Sequence, residues 1–388
     1  MSNIYFEELS MDNTFELGPI RPPSEAFSVL IRVTRNCPWN RCRFCHTYKG
    51  EKFSRRSVEE IISDIDAIHN ISGRILSTAR TYGDDMLITE KILQEASRGD
   101  SASPFYYNQV AFWLQHGMKS VFLQDADSLI LKTDQVIQIL THIKQKFPSV
   151  ERITTYARAK TISKKSAEQM QQLRQAGLSR LHLGMESGSD AVLERIQKGV
   201  TQQELIDAGQ KAVQAGFDLS FYYMPGIGGK EHMEENAIES ARVVGAVNPT
   251  FIRIRSTVPL PDTPLYQMME AEEWTPLTEE EKLAEIRLFI QHCQDITSHL
   301  LSDHMMNLLE DIEGKFPEDR DMMLGKIDSF FAMPREDREK FIIGRRIGLF
   351  RYLSHFHDNP QVNSLYATIK SRYATIDEAV LEILKNYI

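Results

Sequence analysis

Three cysteines stand within nine positions, in the run Asn36-Cys37-Pro38-Trp39-Asn40-Arg41-Cys42-Arg43-Phe44-Cys45-His46. Thiolates are soft, strongly donating ligands, and three on one short loop suit either a tetrahedral zinc ion, completed by His46 or a distant residue, or an iron–sulfur cube. The Cys42-x-x-Cys45 pair taken alone fits a zinc knuckle equally well. A [4Fe–4S] cube gripped at three corners keeps its fourth iron open to an exchangeable ligand, which allows chemistry beyond electron storage. The fourth cysteine, Cys293, stands alone in a helical segment and reads as a small buried hydrophobe. This distribution is that of a metal site in a reducing compartment, not of a disulfide framework.

Other polar residues recur just after runs rich in β-branched and aromatic side chains. Leu123-Gln124-Asp125-Ala126-Asp127-Ser128 supplies two carboxylates, either of which can receive an ammonium group, while Asp127 or Ser128 equally suits a helix N-cap. Arg158 follows Tyr156-Ala157 and offers a guanidinium to an anion, or a solvated surface charge. In Gly184-Met185-Glu186-Ser187-Gly188-Ser189-Asp190, Glu186 has two oxygens for a pair of hydroxyls, and Ser189 or Asp190 suits the cap of the next helix. Met224-Pro225-Gly226-Ile227-Gly228-Gly229 is a glycine loop without the spacing of a dinucleotide fingerprint. Arg253 and Arg255 share one face of a strand by alternation, suited to a substrate or to a neighbouring carboxylate. Helical spacing places His304 and Asn307 one turn apart on one face.

Six β-type runs position these groups: Phe27 to Thr34, Ser120 to Gln124, Arg152 to Ala157, Arg180 to Gly184, Asp218 to Met224 and Phe251 to Ser256. Amphipathic helical segments lie between them, at Val58 to His69, Asp134 to Lys146, Ser166 to Ala176, Thr201 to Ala215 and Met233 to Ala246. Alternation of this kind predicts an α/β fold with parallel pairing and right-handed crossovers, either an open sheet or an incomplete barrel. In both, ligands gather at the carboxyl ends of strands, which is where the polar motifs fall. The aromatic patch Phe105, Tyr106, Tyr107, Phe112 and Trp113 lies in a helical insertion near 73–117 and reads as local core ahead of a substrate wall.

The expected layout is an N-terminal extension over 1–26, an alternating region over 27–275 and a C-terminal α-helical region over 276–388. The formal charge of −9 over 388 residues gives no uniformly basic surface, so nucleic-acid binding is not supported by charge. No run approaches the ~18 apolar residues of a bilayer span. The expectation is a cytoplasmic protein without membrane contact.

The three-cysteine loop after the first strand, the aromatic Phe44 before its last cysteine and the Gly184-to-Asp190 run together resemble the radical SAM superfamily. The likeness extends from about Phe27 to Tyr266 and is nearest to the branch of the oxygen-independent coproporphyrinogen oxidases and the Elongator-like enzymes. One departure is that four residues, not the usual three, separate Cys37 from Cys42. The resemblance implies a partial (β/α)6 radical SAM barrel, a [4Fe–4S] cluster on Cys37, Cys42 and Cys45, and S-adenosylmethionine (SAM) on the open iron. It places Phe44 against adenine, Asp125 or Asp127 on the methionyl ammonium, Arg158 or Lys198 on its carboxylate, Glu186 with Ser187 at the ribose, and Gly226 close to the nucleoside. The implied reaction is reductive cleavage of SAM to a 5′-deoxyadenosyl radical, acting on an unidentified small molecule. A low-potential donor such as flavodoxin or ferredoxin would supply the electron. The resemblance leaves open a carrier that holds cluster and SAM without turnover, and a zinc-bound interaction module remains the other class.

Overall fold

A computed structural model of the protein describes residues 13–83 and 88–385. The first twelve positions of the expected N-terminal extension, residues 84–87 of the expected insertion and the last three of the C-terminal region lie outside the described residues.

Among the described residues eight strands form one sheet in sequential order: β1 Val29–Arg32, β2 Ser120–Gln124, β3 Arg152–Ala157, β4 Leu178–Glu186, β5 Asp218–Tyr223, β6 Phe251–Ile254, β7 His299–Leu301 and β8 Gly314–Lys315. β1 pairs with β2, β2 with β3, β5 with β6 and β6 with β7, all in parallel, while β8 runs antiparallel to β7. The first six are the strands anticipated from composition, each within a few residues. The last two fall in a region expected to be wholly helical. At three and two residues they are too short to show an alternating pattern.

The chain divides into two compact units. One comprises the described residues up to Pro38, Lys52–Tyr156 and Gln171–Arg180. Its longest helix, α1 Val58–Thr81, starts in a capping box between Ser57 and Glu60. Its apolar stripe Ile61, Ile65, Ile68, Ile71 and Ile75 is fully buried. The helix therefore runs through Gly73, where an insertion was expected to begin; a single glycine costs a helix about 1 kcal/mol, too little to break one with so long an apolar stripe. The aromatic patch is local core in part: Tyr107 and Trp113 are buried and Phe105 is exposed, with Phe15 against Tyr106 and Trp113 and Phe27 against Phe112.

The other unit comprises Trp39–Glu51, Ala157–Met170 and the chain from Leu181 onward. β4, β5 and β6 place Leu181, Leu183, Leu219, Phe221, Ile252 and Ile254 in its core. The helices that flank them include α2 Asp190–Arg195, α3 Gln202–Gln214, α4 Met233–Val247 and α5 Glu279–His292. Cys293 caps the last of these and is buried, its thiol pushed well up by desolvation, as a structural cysteine should be. Further helices at Arg320–Phe331, Arg335–Arg346, Pro360–Arg372 and Ile376–Leu384 complete it. Among the described residues no helix is long and apolar enough to cross a membrane.

Candidate active site

β4 ends at Glu186, whose φ of 60° places a non-glycine residue in the left-handed region. That turn brings its carboxylate to 2.6 Å from the ammonium of Lys198, with both side chains nearly buried. Gly184 leaves the room they occupy: a Cβ on Gly184 would lie 2.3 Å from Glu186 Oε1 and 2.8 Å from Lys198 Nζ. Gly188 is required more strictly, because a Cβ there would meet the Glu239 carbonyl oxygen at 2.3 Å, where the backbone of α4 crosses. The Gly188 N–H donates to the Ser240 hydroxyl at 2.8 Å. Ser187 accepts from the Ser189 N–H, and the Ser189 hydroxyl caps α2 by accepting from Val192 N–H at 3.1 Å, the cap expected for this run.

Burial pushes Lys198 toward its neutral form, but Glu186 and Cys42 outweigh that and its pKa is raised. The ammonium therefore keeps its charge, with Cys42 within its electrostatic reach. Cys42 and Cys45 lie on a turn in which Cys45 N–H donates to the Cys42 carbonyl at 3.4 Å. The turn is fixed at its centre: Arg43 N–H donates to the Ile196 carbonyl, and the Arg43 carbonyl accepts from Leu265 N–H, each at 2.9 Å. Phe44 packs on the buried cluster of Val192, Ile196, Ile227, Leu265, Met268 and Trp274.

Trp39 docks the start of this loop, its indole N–H donating to the Gln197 carbonyl at 2.7 Å. Its ring occupies the space a Cβ on Gly199 would need. Arg41 and Arg158 each lie 5.1 Å from that ring. Arg158 also donates to the Lys198 carbonyl at 3.3 Å. Both guanidiniums line an open cleft of about 1100 Å³ together with Lys160, Lys164 and Glu194.

In the other unit, Cys37 is half-buried at the end of the first strand's chain. Asp125 is fully buried, accepting from Arg32 at 2.9 and 2.7 Å and from Asn36 N–H at 3.2 Å. Its charge is matched by a strand residue 93 positions away, a pairing invisible to local reading. Asp127 is buried but makes no cap hydrogen bond to the 3₁₀ turn Ser128–Ile130. Among the described residues no three His, Cys, Asp or Glu side chains converge on a point that would hold a single metal ion. A cube takes one thiolate per iron, so its ligands stand farther apart than those of one zinc ion.

Two partners were not foreseen from sequence, Glu285 at the Gly226 loop and Asp303 at the Arg253 and Arg255 face. The Gly226 N–H donates to Glu285 of α5 at 2.8 Å, and the same carboxylate accepts from Tyr223 at 2.7 Å and Asn236 at 2.6 Å. Desolvation dominates here, raising Glu285 to about 7 despite three donors that favour its charged form. The second cluster lies at the end of β6, where Arg253 within the strand and Arg255 just past it share Asp303 at 2.8 and 3.2 Å. His304 and Asn307 are not on a helix: this segment is a turn. Asn307 accepts from Ser256 N–H at 2.9 Å and donates to the Ile254 and Ser302 carbonyls at 3.0 Å. Side chain to backbone bonding of this kind competes with helix, which is why an i, i+3 spacing misled.

The model of the radical SAM superfamily matches residues 31–241. The chain belongs to that superfamily. Membership brings the superfamily's cofactors, a [4Fe–4S] cluster and SAM. An uncharacterised methyltransferase of Pyrococcus horikoshii is 22% identical over 61% of this chain and 41% of its own length. A tRNA uridine(34) acetyltransferase of Methanocaldococcus jannaschii is 26% identical over 30% of this chain and 22% of its own. The chain thus spans less than half the length of these curated relatives. Among solved structures, methylornithine synthase matches 84% of this chain and 83% of its own at 15% identity, with a TM-score of 0.42.

The donors present fit the radical SAM cofactors. Cys42 and Cys45 lie outside the core, Cys42 within electrostatic reach of the Lys198 ammonium, in contrast to the buried Cys293. The arrangement of Glu186 and Lys198 offers one acceptor and one cation at the same strand end.

Proposed function

We propose that Cys37, Cys42 and Cys45 hold the [4Fe–4S] cluster of this radical SAM enzyme and that the chain cleaves SAM reductively to act on a small-molecule substrate. When bound and reduced, the cluster supplies one electron to the SAM sulfonium, giving methionine and a 5′-deoxyadenosyl radical that takes a hydrogen atom from substrate.

The protein's own part is placement. Lys198 holds a positive charge within electrostatic reach of Cys42. Glu186 accepts from the ribose hydroxyls with the oxygen lone pairs left over from Lys198, and Lys198 in turn orients the SAM carboxylate. Ser187 and the backbone of the Gly226 loop border the nucleoside, and Phe44 offers an aromatic face to adenine. Arg158, stacked on Trp39, serves the loop rather than SAM directly. The regions proposed along the sequence are a radical SAM region over 27–275, with a helical insertion that begins only after α1 ends at Thr81, and a C-terminal region over 276–388. A flavodoxin or ferredoxin is the proposed electron donor.

The observation that carries this reading is the buried Glu186–Lys198 pair, whose ammonium acts on Cys42 and whose turn anchors the cysteine loop. The test is anaerobic reconstitution with iron and sulfide, then reduction in the presence of SAM and an assay for 5′-deoxyadenosine. Wild type should form it, and Cys42→Ala should not. A protein that binds cluster and SAM yet never forms 5′-deoxyadenosine is a carrier, and one that takes up zinc in place of the cluster is neither.

A further inference from the structure

We propose that Arg253 and Arg255, at the end of β6, form the receptor for an anionic group of the substrate, a carboxylate or a phosphate. The proposal rests on the enzymatic reading above and names the class of molecule on which it acts.

Charge and hydrogen bonding at this strand end do not balance. Asp303 is shared between two guanidiniums, 2.8 Å from Arg253 and 3.2 Å from Arg255, so the trio retains one net positive charge. The arginine side chains are only 4% and 13% exposed, respectively. Arg253 Nε and Arg255 Nη2 are buried with no hydrogen-bond partner. A buried guanidinium N–H without an acceptor loses its hydration and gains nothing in return, unless a ligand supplies the acceptor.

The neighbouring groups do not cancel the excess. The Tyr222 ring lies 5.2 Å from the Arg255 guanidinium and offers only a π face. Next to Asp303, His304 is pushed down to about 4, by burial first and then by Arg255, so it is neutral at pH 7. Glu310, which also acts on His304, is held by Arg345 at 2.5 Å and Arg351 at 2.7 Å. The receptor is also fixed in place. Asn307 ties the Ser302-to-Asn307 turn to Ile254 and Ser256, and this holds Asp303 against both arginines before any ligand arrives. Planar guanidinium N–H groups held in this way match the paired oxygens of a carboxylate or phosphate.

The experiment titrates inorganic phosphate and malonate into the reconstituted protein by calorimetry, with and without saturating SAM. The expected result is one anion per chain, bound whether or not SAM is present, with the tighter of the two probes naming the substrate's group. Arg255→Gln should weaken binding about tenfold or more, and Arg255→Lys, which keeps the charge, should weaken it less. Asp303→Asn should tighten it severalfold by releasing both guanidiniums, a gain that a merely structural role for this cluster would not produce. Absence of binding, equal affinity in Arg255→Gln, or weakening in Asp303→Asn overturns the proposal. Displacement of the anion by SAM also overturns it, assigning the arginines to SAM's own carboxylate. Formation of 5′-deoxyadenosine, measured on the same preparation, separates failure of this inference from failure of the radical SAM reading.

Discussion

Two strand ends of the same unit handle buried charge in opposite ways. At the end of β4 one carboxylate meets one ammonium at 2.6 Å, and the pair is closed in charge. At the end of β6 two guanidiniums share one carboxylate, leaving buried N–H groups without acceptors. A closed pair fixes geometry, since a buried ion pair tolerates little movement without losing its compensation. An open cluster stores an unmet demand for negative charge and so marks where a ligand belongs. The first suits the constant cofactor and the second suits a substrate that comes and goes.

The most damaging way to break the β4 side is to remove what its ammonium serves. Cys42→Ala or Cys45→Ala should abolish the visible charge-transfer absorption of the reconstituted protein and all 5′-deoxyadenosine, with the fold retained by circular dichroism. Next in size, Glu186→Gln should strand the Lys198 ammonium and cost about 3 kcal/mol in chemical denaturation. The double variant Glu186→Gln with Lys198→Met should recover much of that loss. If the double variant is no more stable than the single, the pair is not the closed unit described.

Two glutamates of α5, six residues apart, sharpen the comparison through pH. Glu279 is buried, and although desolvation opposes its charge, Arg346 and Lys282 overcome this and hold its pKa at about 2. Its contribution is present above the unfolded value near 4.5 and is lost as pH falls through 2. Glu285 runs the other way. Its folded pKa of about 7 exceeds the unfolded value, so its contribution is complete below about 4.5 and is lost as pH rises through 7. Glu285→Gln should therefore flatten the stability profile over that window by about 2 kcal/mol, measured by urea unfolding at stepped pH. A profile as steep as wild type would contradict the assignment. The smallest expected effect is on His304, whose imidazole should titrate closer to its ordinary value in Arg255→Gln while burial still holds it below. Proton NMR of the ring reads this directly, and an unmoved titration would remove Arg255 from its surroundings.

What could be read from sequence follows the range of the interactions concerned. β1 to β6 were legible because each is a four- to nine-residue run bounded by helices with their own apolar stripes. Glu186, Ser187 and Lys198 were singled out through the family resemblance, and the structure brings Glu186 and Lys198 together at 2.6 Å, a pairing the motif did not foretell. Asp125 was visible as an acid but not as the partner of Arg32, and the Glu285 clasp on Gly226 joins positions 59 apart. The shared Asp303 lies about 50 residues from its arginines on a turn whose spacing imitates a helix. Local pattern thus found single residues at both strand ends, including Arg253 and Arg255 on one face, and missed which residue each one pairs with.

The most direct measurement of the central claim is 5′-deoxyadenosine formed from SAM by the anaerobically reconstituted, reduced protein, wild type beside Cys42→Ala. Formation by wild type and none by the variant is the result predicted here. Equal traces from both, or a wild-type preparation that binds SAM and never cleaves it, would contradict the claim.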